Sequence, residues 1–296
     1  MKIIDTTTYF DEDLMMDLRF NILDPYVDKF IVCEANFTHS GKKKNIKFNK
    51  NNYQKFKDKI EHLIIDKDPV DKFLSKQNEV EVLRANSIKR IEFQRNQIIN
   101  ALKDFDDEDY VIYSDNDEIP NLKSINFQKN NSKIIIFKQK LFYYKFNLSY
   151  FDVDWFGSKC CKKKDLQNIS WLRSIKNKKY SHLRLDTFFS NRKYSSIKII
   201  DDGGWHFSNL KTPKELLKKY LNDEMHAEFE VTNDTLKKIE DKIERRYINY
   251  DHFADQKVSI LQRNKNEFPL KKVNLDILPD YIKDNLIKYK AWIDNK

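Results

Sequence analysis

Residues Tyr110 to Pro120 read YVIYSDNDEIP: a short apolar run with strand character ends in an acidic cluster closed by a proline. Asp115 and Asp117 alternate with Asn116, so in an extended backbone both carboxylates project to one side as the chain leaves a sheet. Two hard oxygen ligands in that position suit Mg²⁺ or Mn²⁺, ions that keep open positions for substrate phosphates. Asp, Asn and Pro are equally the vocabulary of turns, and the motif alone leaves an acidic turn and a metal site both open.

Working outward, Ile3 to Phe10 reads as a first strand, followed by Asp11, Glu12 and Asp13 at the start of a helix with Leu14, Leu18 and Ile22 on one face. Lys29 to Glu34 and His62 to Asp66 are further short strands. A helical stretch from about Ser75 to Lys103 carries Val80, Leu83, Ile88, Ile91, Ile98 and Leu102 near helical spacing. Strands alternating with helices predict an α/β domain with a mostly parallel sheet, whose ligands gather at the carboxyl ends of its strands.

Beyond residue 120 the pattern changes. Lys133 to Lys138 and Leu141 to Phe146 read as an antiparallel pair, and Ile197 to Ile200 as another strand. Thr212 to Glu215 forms a capping box with proline at the first helical position, and helices are expected to Tyr220, over Asn233 to Tyr250 and over Asp280 to Ile293. The chain has only 4 glycines, at positions 41, 157, 203 and 204. Glycine kept so sparingly points to positive φ or close backbone approach, above all in the Gly203-Gly204 pair before Trp205 and His206.

The 296 residues, 40% hydrophobic with 21 Phe and 15 Tyr, suffice for a sizeable core. A formal net charge of +9 favours anionic partners, but the lysines are scattered in short runs, which suits solvated faces better than a nucleic-acid patch. Three cysteines, Cys33, Cys160 and Cys161, lack disulfide-framework and zinc spacing. With no membrane-length run and no signal peptide or anchor, a soluble cytoplasmic protein is expected. Dinucleotide, P-loop, nucleophile-elbow and HExxH signatures are missing. An acidic metal site, a basic surface and aromatic loops suit transfer from a nucleotide-diphosphate donor.

The opening KIIDTTTYFDEDLMMDLRFNIL, VDKFIVCEANFTHSGKKK at Val27 to Lys44, FQRN at Phe93 to Asn96, YSDNDEIP, GGWHFSNL and MHAEFE at Met225 to Glu230 occur in that order. Together they resemble glycosyltransferase family 17, the family of the bisecting β-1,4-N-acetylglucosaminyltransferases. The resemblance implies a GT-A-type fold, a Rossmann-like mixed sheet flanked by helices with a helical C-terminal part. It implies a catalytic domain over 1–230, its nucleotide-binding half about 1–120 and its acceptor half about 121–230, with 231–296 as a helical extension packed on it. The implied activity is metal-dependent inverting transfer of a sugar, N-acetylglucosamine being typical, from a UDP-sugar to a glycan or glycolipid, with peripheral membrane contact compatible.

Carried onto this chain, the resemblance makes Asp115 and Asp117 a DxD element holding Mn²⁺ or Mg²⁺, with His206 as a further ligand to metal or diphosphate. Glu34, Asn36, Thr38, Gly41 and Lys43 match a nucleotide-contacting loop, while Gln94, Arg95 and Asn96 stand just before the DxD strand, Arg95 suiting a diphosphate. His226 and Glu228 match the family pattern, and Trp205 and Trp155 suit sugar stacking or core. The general base of an inverting reaction is sought at Asp202, then Glu118, Asp152 and Asp154. A basic nucleic-acid-binding protein and a metal-dependent nuclease or phosphatase are the competing classes.

Overall fold

The computed structural model describes residues 1–70, 79–151, 153–187, 189–224, 226–250, 252 and 267–296. Asp152, Met225 and the expected helix start at 75–78 therefore lie outside the described residues.

The parallel half is built from β1 (Ile3–Tyr9), β2 (Lys29–Ala35), β3 (Ile60–Ile65) and β4 (Tyr110–Tyr113), joined by α1 (Asp13–Leu23) and α2 (Glu79–Gln97). β1 lies between β2 and β4, and β3 pairs with β2, all parallel. β2 and β4 are nearly continuous apolar runs because both faces are covered, whereas β1 carries Asp5 and three threonines and the edge strand β3 is partly exposed. One face packs on α1 with Phe20, Phe30 and Phe48, the other on the α2 side with Ile31, Val111 and Ile134.

The sheet becomes mixed beyond β4. After β5 (Glu118–Pro120), the long β6 (Ile134–Tyr143) and short β7 (Leu148–Ser149), β8 (Trp155–Lys162) inserts antiparallel between β4 and β6. The expected hairpin of Lys133 to Lys138 with Leu141 to Phe146 is one continuous strand instead. Nothing breaks it at Gln139-Lys140; a register irregularity between Ile136 and Lys138 bends it, and Tyr144, at φ 63°, ends it. Past α3 (Ile169–Ser174), β9 (Ile197–Ile200) pairs with the first half of β6. β10 (Gly204–Ser208) pairs with the second half of β6 and, antiparallel, with β5. The result is the α/β, Rossmann-like mixed sheet flanked by helices.

Among the described residues, the C-terminal helices are shorter than their periodicity predicts. After α4 (Pro213–Tyr220), α5 (Thr235–Glu244) stops at Arg246, which adopts φ 58° while its guanidinium grips Asp294 at 2.8 Å. Two-residue strands β11 (Tyr247–Ile248), β12 (Phe268–Pro269) and β13 (Lys271–Lys272) follow. α6 (Asp280–Asp284) is short and puts Ile282, with Leu278 and Tyr289, into the α1-side core.

Candidate active site

The YSDNDEIP segment is a turn that positions side chains. Glu118 N donates to Asp115 O at 3.0 Å, closing the turn, and Asp115 N donates to Glu118 Oε2 at 3.1 Å. Because the backbone turns, the expectation that both aspartates face one way from an extended strand gives way. Asp115 points at cations: Arg95 donates to Oδ1 at 2.8 Å beside the Tyr113 hydroxyl at 2.9 Å, and Arg173 donates to Oδ2 at 3.0 and 3.1 Å. Asp117, 17% exposed, instead has His206 Nε2 at 3.3 Å. β10 enforces that pairing, setting His206 opposite Glu118 while Phe207 N donates to Asp117 O at 2.8 Å.

Electrostatics separates the three carboxylates. Burial would raise Asp115, but the charges of Arg95 and Arg173 override it and hold the carboxyl far below the ordinary range. Burial likewise opposes ionisation of Asp117, and His206 lowers it. Glu118 goes the other way: burial first, then the Asp115 charge, push it up. It is wholly buried, accepting from Trp155 Nε1 at 2.9 Å. The Trp155 ring lies 4.5 Å from that of His206, whose Nδ1 is buried without a hydrogen bond. Burial lowers His206, but the charges of Asp117 and Glu118 raise it above the usual histidine value.

Supporting residues stand behind the turn on β1, α1, α2, α3 and β8. Asp5 on β1 takes Arg19 of α1 in a bidentate pair at 2.6 and 2.7 Å, and the same guanidinium donates to Glu118 O at 2.8 Å. Asn96 Oδ1 accepts from Ser170 N at 2.9 Å, docking α3, which carries Arg173, on the end of α2. Lys159, buried on β8, donates to the Arg173 and Ile175 carbonyls. Burial, then the Arg173 charge, push that ammonium down to about 7.

Two cavities flank the turn. A recess of about 160 Å³ at the carboxyl edge of the parallel strands is lined by Thr8, His39, Gln94, Arg95, Asp115 and Lys219. A larger one, about 490 Å³, is lined by Asp154, Trp155, Phe156, Arg173, Asn177 and His252. The structure thus gathers Gln94, Arg95, Asp115, Asp117, Glu118 and His206, with Asp154 in the neighbouring cavity.

Other residues singled out from the sequence do different work. Glu34 folds the loop after β2: it pairs with Lys44 and accepts from Lys47 N and Phe48 N at 2.9 and 3.0 Å. Asn36 accepts from Lys44 N at 2.8 Å through its backbone carbonyl, and Thr38 closes the Gly41 turn while Lys43 is exposed. Gly41 sits at φ 86° against the Arg90 guanidinium. Asp202 is held on another surface by Lys140 and Asn121, at 2.8 and 3.0 Å, beside residues 276–283. Trp205 faces that side too, donating to Ile277 O at 2.7 Å. His226 Nδ1 donates to Asp223 O at 2.9 Å. Arg173, Lys159 and Lys219 were missed by sequence reasoning, and Tyr113 was given no role although it opens YSDNDEIP; only the Asn168 cap before WLRS marks the helix that delivers Arg173.

The model of glycosyltransferase family 17 matches residues 1–240, and the chain belongs to that family. It is accordingly a glycosyltransferase, with a sugar donor and an acceptor. No curated protein sequence matches it. Among solved structures, HddC from Yersinia pseudotuberculosis is similar over 68% of this chain and 91% of its own, with 11% identity and a TM-score of 0.32.

Proposed function

We propose that the enzyme transfers a sugar, N-acetylglucosamine, from a UDP-sugar to a glycan or glycolipid with inversion, assisted by Mn²⁺ or Mg²⁺. The observation that carries this reading is the acidic turn set between a recess at the carboxyl edge of the parallel strands and a larger cavity. The recess has room for roughly five waters, one ring's worth, so a base there sends its diphosphate out over Asp115 and Asp117. Arg95, Arg173 and Lys219 supply positive charge along that path.

The donor set fits a divalent ion. Asp117 offers a partly exposed hard oxygen and His206 an imidazole nitrogen 3.3 Å away, while Asp115 has both oxygens on guanidinium groups. Among the described residues no three His, Cys, Asp or Glu side chains converge as ligands. One or two protein ligands completed by substrate phosphates is the ordinary arrangement for Mg²⁺. When bound, the ion supplies charge that stabilises the departing nucleoside diphosphate. Asp115 then serves to hold Arg95 and Arg173 in place, and Glu118 orients Trp155 and the turn.

Asp154 lines the larger cavity beside Trp155 and Arg173, so we assign it the role of general base towards the acceptor hydroxyl. The test is UDP release from a panel of UDP-sugars with Mn²⁺, together with calorimetric binding of UDP. Wild type turns over at least one donor, and Asp117→Ala loses about a hundredfold or more. If no nucleotide sugar is either hydrolysed or bound, the reading fails.

A further inference from the structure

Residues 176–193, KNKKYSHLRLDTFFSNRK, leave the end of α3 and return towards β9 as an excursion that donor chemistry does not use. Its base is closed by backbone bonds, Lys176 N to Arg192 O at 2.8 Å and Tyr180 N to Tyr194 O at 3.1 Å, and by Trp171 Nε1 donating to Asn191 O at 2.7 Å. Above them Arg184 and Lys193 both pair with Asp186 and lie over the Tyr180 ring. The excursion is therefore folded.

Its tip nevertheless turns large apolar side chains to water: Leu183, Leu185 and Phe189 are 92%, 75% and 91% exposed. Scattered single exposures need no explanation, but three within seven residues on one tip do. The same stretch carries six Lys or Arg against one Asp, with Lys176, Lys178, Lys179 and Arg192 exposed. Apolar side chains at a tip with cations around its base match an anionic bilayer, which takes the former at the acyl boundary and the latter at its headgroups. A soluble polyanion such as RNA accounts for the cations alone.

We propose that the tip carrying Leu183, Leu185 and Phe189 is a peripheral membrane contact for an anionic phospholipid surface. Asn177, at its base, and Arg173, on α3, line the larger cavity, so the contact brings that cavity to the bilayer. Presentation of a lipid-linked acceptor there rests on the transfer reading; the membrane contact does not.

The experiment is co-sedimentation of the full chain with phosphatidylcholine vesicles with and without phosphatidylglycerol. Wild type is expected to bind only the anionic vesicles. Leu183→Ser, Leu185→Ser and Phe189→Ser combined, and separately Lys178→Glu with Lys179→Glu, each reduce partitioning by about tenfold or more. Thermal unfolding at the wild-type midpoint establishes that the variants are folded. Failure of wild type to bind, equal binding to both vesicles, or loss on charge reversal without loss on apolar replacement overturns the proposal. The last result marks a surface for a soluble polyanion. Failure of UDP to bind wild type sinks the transfer reading and leaves the vesicle result standing.

Discussion

At the scale of single residues, Asp115 has a guanidinium on each carboxylate oxygen, whereas Asp117 has His206 Nε2 at 3.3 Å. Removing Asp115 leaves Arg95 and Arg173 close together with only Glu118, 3.7 Å from Arg173, as a carboxylate partner among the described residues. Asp115→Ala is therefore expected to cost about 3 kcal/mol of stability, and Asp117→Ala about 1 kcal/mol or less while abolishing transfer. Urea melts of the two variants check the contrast, and equal losses would contradict it. Lys159 gives a pH signature. Its folded pKa is pushed down to about 7, so between there and its ordinary value the unfolded chain binds a proton that the folded chain does not. Stability from this group therefore rises with pH across that window, and below it the cost of the buried charge is fully present. Wild type should gain on Lys159→Met as pH goes from 6 to 9, about 1 kcal/mol or more in urea melts; a difference constant with pH would refute the assignment. The acidic turn was legible because strand, acid and proline are local. Arg173 was not, since an arginine on a helix looks the same in sequence whether it meets solvent or a carboxylate.

At the scale of elements, β8 and β10 close the site through glycine. A Cβ at Gly157 would lie 2.0 Å from Gln139 Oε1 and 2.7 Å from Glu118 Cδ, and one at Gly204, itself at φ 120°, would lie 2.2 Å from Ile119 O. Gly157→Ala is expected to lose about 2 kcal/mol in denaturant and to lower donor turnover by displacing Glu118. An unperturbed melt and rate would show that the strand relaxes freely. The capping box at Thr212 opens α4 as the sequence indicates, because its partners are three residues apart. The length of β6 was misread. Whether two apolar runs fold back or continue depends on β8, β9 and β10 lying alongside, which no local pattern reports. α2 runs from Glu79 with Ser87 and Gln94 on its buried side, while Val80 and Ile88 stay exposed. Its inward face serves the recess, so apolar spacing described it poorly.

At the scale of the molecule, the C-terminal segment is built into the core. Leu278, Ile282 and Tyr289 pack in the same cluster as Phe20 and Phe30, β13 pairs with β7, and Trp205 donates to Ile277 O. A chain cut before Asn274 is expected to lose cooperative thermal unfolding, since each large buried side chain removed costs about 2 to 5 kcal/mol. A sharp transition in calorimetry would show instead that residues 1–273 fold alone. Among the described residues no helix is long and apolar enough to cross a membrane. The sequence by itself determined the alternation of strands and helices and the acidic turn at the end of a strand, because each depends on neighbours a few residues apart; Gly157 and Gly204, read as loop glycines, lie in strands β8 and β10. Only the tertiary structure decided that Asp115 faces Arg95 and Arg173 while Asp117 faces His206, that Asp202 stands away and that Asp154 lines the larger cavity. Those pairings join residues that are 20 to 89 positions apart, and sheet register and helix docking alone bring them together.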